Sequence, residues 1–545
     1  MKKYITIILL VIVFFGGQGC SHFDDLNTNP YATDNVSPAS FIQTITFTTQ
    51  SKILSTSYNL TSQLMQHAIA KSASEITTLV YNYECNISHT TTFWDLYIQK
   101  GNAESMLAEA REDGDAALEG VALILRTYVM QIITDVYGNV PYFQAGMMPA
   151  ESENIETNIK YDSQKEIYMD MLLSLEKANS LLKGASNFSA SLDNIYGGKV
   201  ASWRKFGNTL YLRLLMRVSD KLIEENEEEI DLGEEYGAFN VKDKIQAIYN
   251  DNINNDGESI INNSNATYPI FTSVDDRPLV QYNTLISSYY TPFKNTTGTL
   301  FKSIVACETL TQKMVTRNDE EKLLKIDPRL YEYFTATNGL PVHKTLTEVK
   351  KYLADHTDVG TYTTRLKEGT EYSFMNYSEP LFVFAEACCR GYISGGADLT
   401  KKLYLEACEA SMLEWNPTVS QKNKYVENRD EFIKRLSDSF DPSFPKALEM
   451  IMEQKWIASF WYGVEAWSDY RRTGYPILKT NGETALNNKI LCTRMMYPYT
   501  EAYHNRTCYY EAVNGWLGGN DDMKTDVWFA DTQESKRIRK EGQKK

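Results

Sequence analysis

The sequence predicts a mostly helical fold in which paired helices carry long loops and minor short β-strands. Three features predict it. Apolar residues recur at spacings of three and four in several long segments. Two of those segments face each other across a short Gly-containing turn. The stretches between are polar and rich in Asn and Tyr. Spacings of three and four line up one helical face, whereas polar stretches punctuated by Gly, Pro and Asn read as loops.

The chain opens with Lys2 and Lys3, then an apolar run from Tyr4 to Phe15, then Gly16, Gly17, Gly19 and Cys20. That order is a basic region, an apolar region too short to span a bilayer, and a cleavage site. Residues 1–19 are therefore expected to be a signal peptide. Cys20, placed directly after a small residue, is the expected lipid acceptor, although Gly17-Gln18-Gly19 lacks the usual Leu before it. Acyl chains on Cys20 would tether the protein to a membrane, at about 0.8 kcal/mol per buried CH₂.

Val121, Leu125, Tyr128, Ile132 and Val136 share one helical face, and Ile124, Val129 and Ile133 widen it. So apolar a helix is buried on most sides, and Gly138 with Pro141 ends it. Ser163-Gln164-Lys165-Glu166 is a capping box that opens another helix through Met171, Leu175 and Leu182. Trp203, Phe206, Leu210, Leu214 and Val218 form a third stripe. Ser378 to Arg390 stops at Gly391, and Thr400 to Glu414 follows. Ala385, Ala387, Ala407 and Ala410 would let these two helices approach closely, as in a tetratricopeptide-like hairpin. Ser443 to Tyr462 reads as one more helix, with Pro445 in its first turn and Gly463 at its end. Between 220 and 375, and after 475, the chain reads as loop, which is where binding surface is expected. Nothing resembling a linker divides the chain, so a single large domain is expected.

Composition excludes several functions. The formal charge is −16 with no basic stripe, which argues against nucleic acid as a partner. The six His form no metal or protease motif, and neither a nucleophile elbow nor a phosphate loop occurs. No catalytic residue, metal site or cofactor is expected. Asn252, Asn254, Asp256 and Gly257 imitate half a calcium loop, but Asn263 stands where a bidentate Glu is needed. Apart from Cys20, seven Cys without regular spacing make no disulfide framework. Cys388 and Cys389 read as buried thiols, and only Cys492 and Cys508 are candidates to pair.

The N-terminal Cys20-Ser21-His22-Phe23-Asp24-Asp25-Leu26-Asn27 with Asn29-Pro30 resembles the start of SusD/RagB-like lipoproteins. Asp135-Val136-Tyr137-Gly138-Asn139-Val140-Pro141-Tyr142 does so too. Ile195-Tyr196-Gly197-Gly198, Trp203 to Leu210 and Leu212-Arg213-Leu214 are similar to the branch called SusD-like family 2. Gln454-Lys455-Trp456-Ile457, Glu465-Ala466-Trp467 and Arg471-Arg472-Thr473-Gly474-Tyr475-Pro476 continue the likeness. Tyr497-Pro498, Glu501, Asn505 and Gly518-Gly519-Asn520-Asp521 complete it. The blocks run in family order, while residues 262–325 do not align.

The resemblance implies a SusD-like fold of tetratricopeptide-like hairpins over 41–545, behind a lipid-anchored tail at 20–40. It also implies a non-catalytic protein on the outer membrane, facing the cell exterior, with Asp24 and Asp25 as its export signal. The implied partner is a SusC-like TonB-dependent transporter, and the implied ligand an oligosaccharide. Peptide uptake of the RagB type, a surface glycoside hydrolase and a purely structural lid are the competing readings.

Site expectations rest on the 36 Tyr, many of them in polar loops. A Tyr ring offers an apolar face to a sugar's C–H side, and its hydroxyl a polar contact. Tyr81, Tyr83, Tyr268, Tyr282, Tyr289 and Tyr290 are the candidate ligand contacts. Each is weighed against the plainer role of packed loop anchor, and Trp94 reads as core. Arg471 and Arg472 are expected to pair with helix ends or carboxylates.

Overall fold

A computed structural model of the chain describes residues 37–71, 87–146, 158–253, 263, 265–282, 304–363, 371–416, 423–480, 489–542 and 544. The expected signal peptide (1–19), most of the tail (20–40), and Cys20, Asp24 and Asp25 lie outside the described residues.

Helices dominate. The first is α1 (Ser40–Thr56), followed by α2 (Tyr97–Glu112), α3 (Ala116–Tyr137), α4 (Gln164–Leu182), α5 (Val200–Glu225) and α6 (Val241–Asp251). The second half adds α7 (Ser378–Cys389), α8 (Gly396–Trp415), α9 (Arg429–Ser439), α10 (Lys446–Ala458), α11 (Gly463–Thr473), α12 (Arg506–Trp516) and α13 (Gln533–Gly542). Among the described residues every sheet is a two-stranded antiparallel ladder.

Helices adjacent in sequence pack as neighbours: α2 on α3, α3 on α4, α4 on α5, and α7 on α8. Local chemistry explains the boundaries. Asp115 accepts the amide of Leu118 to start α3, and Gly138, at φ +84°, ends it. The Ser163–Glu166 capping box is present at α4. α3 is long and apolar enough to cross a membrane, yet it is buried in the helical layer. Glycine makes that possible. A Cβ on Gly120 would lie 2.8 Å from Leu182, and one on Gly207 2.7 Å from Ile124, so α3 approaches both α4 and α5 closely. Ala385, Ala387, Ala407 and Ala410 are all buried, in the two helices that pack on each other as α7 and α8. One hydrophobic cluster runs from Ala39 to Ala530.

Several boundaries differ from expectation. α8 begins at Gly396, not Thr400, because Gly395 and Gly396 take positive φ and the helix starts directly from that turn. The helix expected over 443–462 is shorter, covering Lys446–Ala458, with Pro445 just before its start. α10 ends at Ala458, Trp461 adopts φ +71°, and Gly463 opens α11 instead of closing α10. A Cβ at Gly463 would sit 2.4 Å from Thr61 Oγ1, so its small size serves a close approach. The stretch read as loop over 220–375 contains α6 and a helix at Leu346–Asp355. Cys492 and Cys508 are both free, as are Cys388 and Cys389.

Charged side chains bridge the helices inside this scaffold. Arg217 of α5 pairs with Asp135 of α3 and Glu465 of α11, and Arg213 pairs with Glu379 of α7. Arg472 of α11 reaches Glu386 (2.6 Å), Asp469 (3.1 Å) and Asp220 (3.4 Å). Lys455 of α10 meets Asp469 at 2.8 Å. Arg471 donates to the carbonyls of Asp135 and Thr493 and lies over the Trp467 ring. The expected structural role of both arginines is what the fold uses. Buried pairs add little net stability, since desolvation offsets attraction, but their geometry fixes how the helices sit.

Candidate functional site

A cavity of about 180 Å³ opens where two short strands meet the ends of α8 and α10. The strands are β1 (Leu279–Gln281) and β2 (Glu371–Ser373), paired antiparallel with Val280 opposite Tyr372. Arg277, Tyr372, Asn376, Glu414, Trp415, Trp461 and Tyr462 supply most of the chemistry of its walls.

Each wall residue is held from behind. Trp415 is the last residue of α8, and its ring meets Tyr333 edge-on at 4.7 Å. Trp461 sits in the turn between α10 and α11, 4.7 Å from Tyr362 and 5.3 Å from Phe460. Its carbonyl accepts from Ser57 Oγ at 2.7 Å. Positive φ is costly for so bulky a residue and persists only where its surroundings impose it. The Tyr462 hydroxyl donates to the Ser373 carbonyl at 2.5 Å, and Gln50 Nε2 donates to the same oxygen at 3.0 Å. β2 is thereby fixed to α1 and α11.

The polar groups differ in freedom. Both Glu414 carboxylate oxygens accept from Ser378, one from the amide (2.7 Å) and one from the hydroxyl (2.9 Å), which caps the start of α7. Burial pushes the Glu414 pKa up to about 7, against the pull of Arg277 and the Ser378 bonds. Arg277 donates from Nε to the Val274 carbonyl at 2.8 Å. Its terminal nitrogens have no partner among the described residues and remain available to a ligand.

The half-buried indole of Trp415 and phenol of Tyr462, backed by the buried rings of Trp461 and Tyr372, can stack on apolar C–H faces, and Arg277, Asn376 and Glu371 can bond hydroxyls around them. The volume is below the roughly 300–1,000 Å³ of sites that enclose a drug-sized ligand. The cavity fits one end or one unit of a longer molecule. Among the described residues no group of His, Cys, Asp and Glu is placed to hold a metal.

The family described as starch-binding and associating with the outer membrane, SusD-like family 2, matches residues 30–255 and 245–498. The chain belongs to this family. Solved structures share the fold. A SusD homologue from Bacteroides fragilis is 22% identical with TM-score 0.68, covering 91% of this chain and 100% of its own. A chitin-binding SusD homologue from Flavobacterium johnsoniae is 21% identical with TM-score 0.68, covering 91% and 98%. A SusD homologue from Bacteroides uniformis is 20% identical with TM-score 0.66, covering 91% and 100%. No curated protein matches the chain.

In this SusD-like chain the expected site residues scatter. Tyr282 is buried directly behind the cavity. Its hydroxyl is 3.1 Å from Ser51 Oγ, and its ring lies 5.7 Å from that of Tyr372, which faces the cavity. Tyr268 is half-buried between helices. Its hydroxyl donates to Glu176 at 3.0 Å and accepts from Lys244 at 2.9 Å, while its ring stacks on Tyr211 at 6.0 Å. Tyr81, Tyr83, Tyr289 and Tyr290 lie outside the described residues. Trp94 is half-buried among Tyr97, Tyr137, Tyr161 and Tyr497. The half-calcium loop is described only at its edges, where the Asn252 amide donates to the Ile248 and Tyr268 carbonyls. Sequence reasoning missed Arg277, Trp415, Trp461 and Tyr462. One signal was present: Phe460-Trp461-Tyr462 is an aromatic triplet directly before Gly463.

Proposed function

We propose that this SusD-like chain is a lipid-anchored capture protein on the outer face of the outer membrane. It binds oligosaccharide at the Trp415–Trp461 cavity and delivers it to a SusC-like TonB-dependent transporter. The observation that carries the reading is the cavity's chemistry. Indole and phenol rings share its walls with Arg277, Asn376 and Glu371, which suits a ligand with apolar faces and a polar rim. Family membership supports a saccharide ligand and an outer-membrane setting. The chitin-binding relatives favour including N-acetylated sugars among those tested. Delivery follows from the anchor: a tether at Cys20 would confine the protein to the transporter's membrane and raise their effective concentration.

The test is calorimetric titration with malto-, chito- and other oligosaccharides, and with peptides. Trp415→Ala is expected to weaken binding by roughly 5- to 150-fold, from the 1–3 kcal/mol of an aromatic stacking contact on a planar ligand. Arg277→Gln, which removes the terminal guanidinium nitrogens from the wall, checks the polar side of the cavity. Affinity for peptides and none for any oligosaccharide would transfer the protein to the peptide-uptake reading. Release of shortened sugar would make it a hydrolase. Mild-detergent purification should recover the transporter in near-stoichiometric amount, and recovery of this chain alone would refute delivery.

A further inference from the structure

A second hollow, of about 220 Å³, lies on the other side of α11, against the C-terminal helix α13. Its floor is mostly apolar: Tyr470 and Leu491 are buried and Ile490 is half-buried beside them, with the buried Thr480 and Thr493 also in the lining. Its rim is basic, formed by Lys524, Lys536, Arg539 and Lys540, with Asp526 as the acid among them. In a chain of net charge −16, this is a local reversal of sign.

The rim cations are not equivalent. Arg539 is held by Asp526 through two bonds, 2.7 and 3.0 Å, and Lys536 pairs with Asp531. Lys524 and Lys540 are exposed and have no acidic partner among the described residues. The hollow is also built on fixed elements. Ile538 of α13 packs where a Cβ on Gly474 would lie 2.6 Å from it, and the Thr480 amide donates to the Gly542 carbonyl at 3.3 Å. α13 is thus clamped to the end of α11, which fixes Lys540 at the hollow that Lys524 also lines.

We propose that this hollow binds a phosphate-bearing amphiphile, with the anion on Lys524 and Lys540 and the apolar part on Tyr470, Ile490 and Leu491. A free anion would need only the rim, and a neutral apolar molecule only the floor. The two together select a molecule that has both. Such a ligand could be a soluble phosphorylated amphiphile or the headgroup region of a phospholipid surface, and the probes separate the two. The inference is independent of the sugar cavity, with which the hollow shares no lining residue.

The test titrates the full-length chain with dihexanoyl phosphatidate, which is monomeric, and with inorganic phosphate. Vesicles of phosphatidylcholine, with and without phosphatidylglycerol, complete the set. Phosphatidate is expected to bind, and Lys524→Gln with Lys540→Gln to weaken it about tenfold, as for loss of two exposed ion pairs. Both lysines are exposed, so the variant's melting temperature should stay at that of the wild type. Binding to phosphatidylglycerol vesicles as well assigns the site to the membrane surface. Binding to phosphatidate but not to vesicles assigns it to a soluble amphiphile. Equal affinity for inorganic phosphate and phosphatidate would remove the floor's role and overturn the proposal. Unchanged phosphatidate affinity in the double variant would overturn it too.

Discussion

Replacing Arg472 by Met is expected to cost about 3 kcal/mol of stability at neutral pH. Arg472 is buried, with Nη1 and Nη2 on the two Glu386 oxygens at 2.6 and 2.8 Å and further contacts to Asp469 and Asp220. Met preserves much of the volume but leaves three carboxylates short of a partner. Breaking a buried pair from one side costs about 3–5 kcal/mol. The lower end applies because each acid keeps one cation: Glu386 keeps Arg390 (3.0 Å), Asp469 keeps Lys455 (2.8 Å), and Asp220 keeps Arg390 (3.1 Å). Unfolding entropy of about 2 cal/mol/K per residue gives about 1 kcal/mol/K for a chain of roughly 500 residues, so the melting temperature should fall by about 3 °C.

Acid should shrink the effect. Burial pushes the Glu386 carboxyl up, but Arg472 and Arg390 overcome this and hold it well below the usual carboxylate range. A depressed folded pKa gives stability that is present above the unfolded value and lost as pH falls through the folded one. The variant has less of that stability to lose. The gap between wild type and variant, followed by scanning calorimetry, should narrow as pH drops below about 4.5. A neutral-pH gap under about 1 °C, or one that widens on acidification, would refute the role given to Arg472.

Glu414 should behave oppositely. Its pKa is raised by burial to about 7, so its contribution is full below the unfolded value and is lost as pH rises toward 7. Glu414→Gln should therefore gain stability relative to wild type between pH 4.5 and 8, by on the order of 3 kcal/mol, as read from melting curves across that range. Gly463→Ala places a Cβ 2.4 Å from Thr61 Oγ1 and 2.8 Å from the Ser62 amide, and overpacking of that kind should cost about 1–3 kcal/mol in denaturant titration. Cys20→Ala should abolish labelling of the protein by a fatty-acid probe in cells, and equal labelling would disprove the anchor. Tyr289→Ala with Tyr290→Ala, or Tyr81→Ala with Tyr83→Ala, should reduce oligosaccharide affinity while leaving the melting temperature close to that of wild type.

Much of the scaffold was legible because its signals are local. The stripe through Val121 and Val136, the Ser163–Glu166 box and the stop at Gly138 each follow from a few neighbouring residues, and each is in place. The break inside 443–462 was not legible. Nothing between Lys446 and Tyr462 forbids a helix, and it ends because tertiary contacts impose positive φ on Trp461 and bring Gly463 onto Thr61. Periodicity cannot carry that information. The cavity was hidden for the same reason, since Arg277, Tyr372, Trp415 and Trp461 are scattered in sequence and meet only through the β1–β2 pairing and the ends of α8 and α10.

The residues that carry the family resemblance and those that line the cavity are different sets. Asp135, Arg213, Lys455, Glu465, Arg471 and Arg472 belong to resembling blocks, and in the structure all are buried in the charged bridges between helices. Arg277, Glu371, Tyr372, Trp415, Trp461 and Tyr462 lie outside every such block. The division has a physical basis. A buried charge tolerates little change, because losing one partner strands the other, so a scaffold built on such bridges resists substitution. A cavity wall at the ends of helices and on a two-stranded ladder can change its side chains without disturbing those bridges. Membership in the family therefore specifies the frame, and the proposed ligand must be read from the cavity walls: the half-buried Trp415 and Tyr462 rings, and an Arg277 whose terminal nitrogens have no partner among the described residues.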